Sequence, residues 1–169
     1  MSRPHHWAIY PLFIAGMGLG GFFDGIVFHF ALQWHNLVSN QMASDSAGQL
    51  ETIMRIESTF HISMWAVTGI AIYLIWQAGR RGYLPRRPLV FSGLLILGWG
   101  AFNILDGVLF HLVFQLHNVR EAGPIAFWNS LWILWGIVFV AIGWAMAFGQ
   151  GRRLRADPIP SRPLSLNGR

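Results

Sequence analysis

Five histidines in this chain have the residue type and the spacing that suit a metal site. Four of them form two pairs with a spacing of six residues, and the fifth follows a glutamate by four residues. Neutral imidazole combined with carboxylate is a ligand set that suits copper, zinc or iron. We therefore predict a transition-metal site whose candidate ligands are His29, His35, His61, His111, His117 and Glu57.

Two aspartates and two glutamines accompany the histidine pairs at fixed distances. An aspartate lies five residues before the first histidine of each pair, and a glutamine lies two residues before the second. A side chain that hydrogen-bonds a ligand histidine orients its ring, so we expect a supporting role rather than direct ligation. The glutamines are also expected to hydrogen-bond between helices. The predicted supporting residues are Asp24, Asp106, Gln33 and Gln115.

The whole polar pattern occurs twice. Residues 24–36 read DGIVFHFALQWHN and residues 106–118 read DGVLFHLVFQLHN, a constant shift of 82 residues (106 − 24). A fainter match pairs the segments that begin at Phe60 and Phe127, with a shift of 67 residues (127 − 60). A helical hairpin followed by its copy predicts a parallel internal repeat related by an axis along the membrane normal.

Four long apolar segments must position these groups. The chain is 54% hydrophobic and 11% charged, which is typical of a membrane protein and excludes an ordinary soluble domain. Segments at about 8–38, 58–78, 89–118 and 125–149 are each near or above the roughly 20 residues that cross a bilayer. We predict an all-α fold, in which residues 1–150 form a four-helix transmembrane bundle of two tandem hairpins. Helical spacing of Leu50, Ile53 and Met54 predicts that the second helix begins before its span.

The arginines predict how the bundle is oriented. Arg80, Arg81, Arg86 and Arg87 lie between the second and third segments, and five more follow residue 151. The positive-inside rule therefore places both termini and the middle loop in the cytoplasm, and the histidines at the outer end of the bundle. Residues 151–169 are expected to form a disordered basic cytoplasmic tail. Because topology accounts for the arginines, nucleic acid is not an expected partner.

Regular helix geometry sets a condition on the metal site. His29 and His35 would differ by about 120° around an α-helix and by about 9 Å along its axis. They could not easily share one ion in that arrangement. We therefore expect either two sites at different depths or an unwound outer end of the helix that brings the ligands together.

The chain resembles the bacterial membrane proteins of the domain-of-unknown-function 2243 family across nearly all four predicted helices. Many members have a second histidine directly after each pair, where this sequence has Asn36 and Asn118. The resemblance implies the fold and the site rather than an activity, and it implies the bacterial inner membrane as the location. It rests on Asp24, Gly25, His29, the segment 32–35, Glu57, His61, His111 and the segment 117–121.

Several functions fit these observations. The first is a metal site that serves metal handling or redox chemistry in the cell envelope. A second is an electron carrier in which His29 and His111 are the two axial ligands of one haem b. A third is a small proton or cation transporter whose path uses the aspartates and histidines, and a fourth is a non-enzymatic assembly factor. Expected partners are the lipid bilayer, respiratory or metal-handling membrane proteins, or a second copy of the chain, and whether the protein is an enzyme stays open.

Overall fold

The computed structural model describes residues 6–149, and within that range every regular element is a helix. Helix α1 (His6–Phe23) continues directly into a π-helical segment, π1 (Asp24–Ala31). After a loop, α2 (Ala47–Arg80) returns through the bundle. Helix α3 (Pro88–Asp106) continues into a second π-helical segment, π2 (Gly107–Val113), and α4 (Ile125–Phe148) follows. The tail predicted at 151–169 lies outside the described residues.

Four helical stretches are long and apolar enough to cross a membrane, which confirms the predicted all-α fold with four candidate spans. Because the chain reverses at each loop, the loops 32–46 and 114–124 lie at one end, which we call the π end. The loop 81–87 lies at the other, which we call the arginine end. The candidate spans are Trp7–Ala31, Ala47–Arg80, Pro88–Val113 and Ile125–Phe148.

The helices at the π end are shorter than the sequence predicted. The first ends at Ala31 rather than near residue 38, and the third ends at Val113 rather than near residue 118. Both stop because Gln33 and Gln115 adopt φ angles of 50° and 49°. This left-handed conformation cannot continue a right-handed helix. The second histidine of each pair therefore lies in a loop.

Helix α2 begins at Ala47, well before the predicted span at 58, as the spacing of its first apolar residues indicated. The side chain of Ser46 caps it by accepting a hydrogen bond from the backbone N–H of Gln49. Such a cap satisfies one of the free N–H groups of the first turn. The extra turns bring Glu57 alongside the π end of the bundle.

Glycines allow α1, α3 and α4 to approach backbone to backbone. A Cβ atom at Gly98 would overlap the carbonyl of Phe13, and one at Gly16 would overlap the carbonyl of Leu95. A similar contact joins α3 to α4 at Gly100. In a bilayer, helix association depends on such close packing because lipid is as apolar as the helix surfaces. The contacts hold α1 and α3 side by side, so that π1 and π2 meet at the same end.

We predict that Gly98→Ala destabilises the bundle, because its Cβ atom would overlap the backbone of Phe13. Overpacking of this kind costs about 1–3 kcal/mol. Thermal unfolding in detergent, followed by circular dichroism, measures the effect. Gly69→Ala on α2 is the matched control, because nothing lies within 4 Å of its Cβ position. Equal unfolding midpoints for the two variants would contradict the close α1–α3 contact.

Candidate metal centre

The π-helical segments bring each aspartate next to a histidine. In an α-helix, residues five apart are separated by about 140° around the axis. In a π-helix the hydrogen bonds run between residues five apart, which brings those residues into line. As a result, Asp24 Oδ2 lies 3.3 Å from His29 Nε2, and Asp106 Oδ2 lies 3.2 Å from His111 Nε2. The two halves of the bundle thus present the same carboxylate–imidazole pair.

The loops after π1 and π2 return the second histidine of each pair to the bundle. His35 donates from Nδ1 to the carbonyl of Val119 at 2.8 Å, and His117 donates from Nδ1 to the carbonyl of Leu37 at 3.0 Å. Leu37 and Val119 are themselves 82 residues apart (119 − 37). Each loop therefore holds the histidine of the other. Because a carbonyl only accepts, Nδ1 carries the proton and Nε2 keeps its lone pair.

The four paired histidines pack together in the interior. The ring centroids of His29 and His35 are 4.5 Å apart, and those of His111 and His117 are 4.6 Å apart. Between the pairs, the rings of His35 and His117 are stacked, with centroids 4.7 Å apart and planes inclined by 4°. Of the two predicted arrangements, two sites at different depths or an unwound helix end, the structure has the second. The first and third helices end before His35 and His117, and the loops bring the histidines together.

Two sets of side chains in this cluster have metal-binding geometry. The histidine set consists of His29, His35 and His117, and the aspartate set consists of Asp106, His111 and His117. Within each set, one ligand atom per residue lies within 4.8 Å of the others. All five side chains are buried. Donors at these separations could converge on an ion at bonding distance after small adjustments.

The chemistry of the donors fits an ion. The Nε2 atoms of His29, His35, His111 and His117 are buried and make no hydrogen bond within the described residues. Carboxylate oxygens of Asp24 and Asp106 nevertheless lie within ion-pair distance of the Nε2 atoms of His29 and His111. A buried polar atom without a partner costs about 1–3 kcal/mol. Several such nitrogens in one buried cluster are a costly arrangement, and a bound cation would satisfy those that coordinate it.

Burial also sets the protonation of the two loop histidines, which lie outside the membrane-spanning segments. Removal from water lowers the pKa of His35 and the pKa of His117 below the usual range for histidine. Desolvation has this effect because it disfavours the charged imidazolium. Both rings are therefore neutral near pH 7, which is the form that binds metal ions.

Glu57, which was predicted as a ligand, hydrogen-bonds His29 and belongs to neither ligand set. Its Oε2 accepts a hydrogen bond from His29 Nδ1 at 2.8 Å, and its Oε1 accepts one from the backbone N–H of Leu37 at 2.5 Å. The side chain is only 3% exposed. Since both oxygens have partners, Glu57 acts by orienting the His29 ring and by tying α2 to the first loop.

His61, also predicted as a ligand, lies outside both sets. It donates from Nδ1 to the carbonyl of Glu57, one turn earlier on α2, at 2.7 Å. Its Nε2 lies against Gly25, where a Cβ atom would overlap it. The ring therefore packs between π1 and α2, and its Nε2 also makes no hydrogen bond within the described residues.

The predicted supporting role of Gln33 and Gln115 is not what the structure shows. Both side chains are exposed, because their left-handed backbone terminates the helix and directs the chain into the loop. The carbonyl of Gln115 instead accepts hydrogen bonds from the side chains of Asn40 and Gln41 in the other loop. These glutamines shape the turns that return the histidines to the bundle.

Three supporting residues were not identified from the sequence. The carbonyls of Leu37 and Val119 fix two histidines, and side-chain type carries no signal for a backbone carbonyl. Asn129 on α4 is buried, and its Oδ1 accepts a hydrogen bond from the N–H of Val119 at 3.0 Å. Its Nδ2 donates to Asn118 at 2.9 Å. A lone asparagine near the start of an apolar span is the one signal that could have indicated it.

Fold and site together define a four-helix membrane protein with a buried histidine and aspartate cluster at one end. The family described as "Predicted membrane protein (DUF2243)" matches residues 12–150. The chain belongs to this family, as its sequence motifs indicated. No curated protein and no solved structure matches it.

Proposed function

We propose that the protein binds a transition-metal ion, copper, zinc or iron, in the cluster at its π end. The observation that carries this proposal is that four buried histidines, whose Nε2 atoms make no hydrogen bond, belong to two overlapping sets of potential ligands whose donor atoms lie within 4.8 Å of one another. The proposed role is metal handling or redox chemistry in the envelope of a bacterial cell. The arginine distribution supports a location in the inner membrane, with the π end at the outer leaflet.

The charges of the side chains around the cluster favour the binding of a cation. The three carboxylates there, Asp24, Asp106 and Glu57, are at most 3% exposed. Buried carboxylates are costly unless a positive charge compensates them. Among the described residues, every arginine lies outside the cluster, and Arg55 and Arg120 at the π end pair with Glu51 and with tryptophan rings. A metal ion would supply positive charge there, as would a proton on the His29 ring, which lies between Asp24 and Glu57.

The donor types narrow the choice of ion. Imidazole nitrogen is the main donor, carboxylate oxygen is the second, and the sequence contains no cysteine. Nitrogen-rich sites of this kind suit zinc, copper and iron, whereas magnesium and calcium prefer oxygen ligands. When bound, such an ion would supply Lewis acidity or, for copper and iron, electron transfer. The protein's own contribution is to fix the tautomers and to exclude water.

Haem fits this geometry less well than a bare ion. The His35 ring packs against His29 and the His117 ring against His111, with centroids 4.5 and 4.6 Å apart. A porphyrin bound by His29 and His111 would have to displace these two rings. Among the described residues, no contact specifically favours the transporter hypothesis or the assembly-factor hypothesis.

We expect detergent-purified protein to bind copper, zinc or iron at a fixed stoichiometry, measured by inductively coupled plasma mass spectrometry. A double variant, His29→Ala with His111→Ala, removes one donor from each set and is expected to lose most of the metal. His61→Ala is the matched control and should retain it, because His61 lies outside both sets. The absence of metal above background in the wild-type protein, both as purified and after reloading, would overturn the proposal.

We also expect Glu57→Gln to weaken metal binding without removing a ligand. The amide has one acceptor oxygen instead of two, so it can accept from His29 Nδ1 or from the backbone N–H of Leu37 but not from both, and the His29 ring is held less firmly. Loss of an orienting partner typically lowers metal affinity about 10–100-fold. Competition titration with a chromogenic chelator measures the change. Glu51→Gln, an exposed site on the same helix, should leave the affinity unchanged, and equal affinities for both variants would contradict the orienting role.

A further inference from the structure

The two ligand sets overlap at a residue that has one free donor atom. His117 belongs to both the histidine set and the aspartate set. Its Nδ1 is committed to the carbonyl of Leu37 at 3.0 Å, so only Nε2 can bind a metal. One nitrogen lone pair serves one ion. The two sets therefore cannot both be complete at the same time.

The ring arrangement places His117 next to donors of both sets. Its ring centroid is 4.7 Å from that of His35 and 4.6 Å from that of His111, and the centroids of His35 and His111 are 6.4 Å apart. His117 is fully buried, with 0% exposure, and its backbone contact determines which nitrogen is free. An ion on its Nε2 thus has the other donors of either set close by, so a small shift of the ion exchanges one set for the other.

We propose that the centre holds one ion at a time in two alternative positions, and that the ion passes between them while it stays bound to His117. This inference rests on the proposed function. In one position the ion has the three nitrogens of the histidine set, and in the other it has two nitrogens and a carboxylate oxygen. The transfer breaks the bonds to His29 and His35 and forms bonds to His111 and Asp106, with no change in oxidation state.

Alternative positions suit a protein that moves or hands over a metal better than one that stores it. A site that releases its ion in one step loses all of its ligand bonds together. A shared ligand divides that loss into smaller steps, because His117 keeps its bond while the other ligands exchange. The two positions also differ by one negative charge in their own ligand sets, so they have distinct spectra and affinities.

Cobalt(II) is the probe for this inference, because its visible spectrum depends on its ligands. After chelator stripping and reloading, we expect one cobalt per wild-type chain, with a spectrum that is a weighted sum of two components. His111→Ala should leave one cobalt with the first component alone, and His29→Ala should leave one cobalt with the second alone. His117→Ala should weaken binding at least tenfold. His61→Ala, the matched control, should give the wild-type spectrum.

The outcomes separate this inference from the proposed function. Two cobalt ions per chain, or a wild-type spectrum that equals one variant's alone, would overturn the alternative positions and leave metal binding intact. Loss of all binding in folded His29→Ala or His111→Ala protein would also overturn them, because it would indicate one composite site. No cobalt in the wild type would overturn both proposals. Size-exclusion profiles check folding, and His29→Asn and His111→Asn replace any alanine variant that fails this check.

An independent observation concerns a groove at the arginine end. A cavity of about 630 Å³ lies between α1 and α2, and Trp7, Pro11 and Leu74 form part of its mostly apolar lining. Arg81 also lines it, and its guanidinium carbon is 5.8 Å from the centroid of the Trp7 ring. The groove therefore combines an apolar wall with a cation at its end.

The charge at this end is one-sided. Arg80, Arg81, Arg86 and Arg87 lie within eight residues of one another. All acidic residues in the described part of the chain lie at the π end or in its loops, away from Arg81. The described acidic residues are Asp24, Asp45, Glu51, Glu57, Asp106 and Glu121.

We infer that the groove binds an anionic phospholipid, with an acyl chain on its apolar wall and the phosphate at Arg81. Basic pockets between membrane helices bind such headgroups through charge complementarity. The chemistry required is a phosphate joined to a hydrocarbon chain, rather than a phosphate alone.

Relipidated protein tests this second inference through its thermal unfolding midpoint. We expect phosphatidylglycerol to raise the midpoint more than phosphatidylcholine does, and Arg81→Gln to reduce that difference by at least half. Arg55→Gln, an exposed arginine at the other end of α2, is the matched control and should keep the full difference. Equal midpoints in the two lipids, an unaltered difference in Arg81→Gln, or an equal effect of inorganic phosphate would overturn the inference.

Discussion

The structure depends on how a buried imidazole satisfies both of its nitrogens. In a low-dielectric interior, each nitrogen needs a partner, and a carbonyl at Nδ1 fixes the proton there and leaves Nε2 as a bare lone pair. His35 and His117 obtain that carbonyl from each other's loop. The same two bonds therefore close the π end of the bundle and create the donor atoms of the proposed centre. Folding of the loops and formation of the site are one event.

Two features of the helices allow the two loops to meet at the π end. Glycine contacts such as Gly98 against Phe13 let α1 and α3 touch, which brings π1 and π2 to the same place. The π-helical turns then align Asp24 with His29, and Asp106 with His111, at 3.3 and 3.2 Å. π-helical turns are rare and occur mostly at functional sites, because they forgo favourable α-helical geometry. Their presence after both α1 and α3 indicates a shared requirement for the aspartate and histidine contact.

The sequence predicted the spans and the paired histidines, because hydropathy and polar spacing depend on residue type alone. It did not predict the π-helical turns, since regular α-helix geometry separates Asp24 from His29 by about 140°. The choice between α and π turns depends on tertiary contacts that one segment does not contain. Backbone conformation at Gln33 and Gln115 also could not be read from the sequence. Their polar side chains suggested a supporting role, whereas their backbones form the turns. Glu57 was predicted as a metal ligand, whereas in the structure it hydrogen-bonds His29 and Leu37 through a loop conformation that spacing does not specify.

Access to the proposed centre and retention of its ion follow from the same contacts. The loops above the cluster are joined by Asn118 and Asn40, and by Arg120, whose guanidinium carbon lies 5.2 and 5.4 Å from the ring centroids of Trp34 and Trp128. An ion that entered or left the proposed centre from the π end would have to separate these loops. Separation would also break the carbonyl contacts of the loop histidines and so release the tautomers that leave Nε2 free. Under the proposed function, opening would therefore lower the metal affinity and closure would restore it.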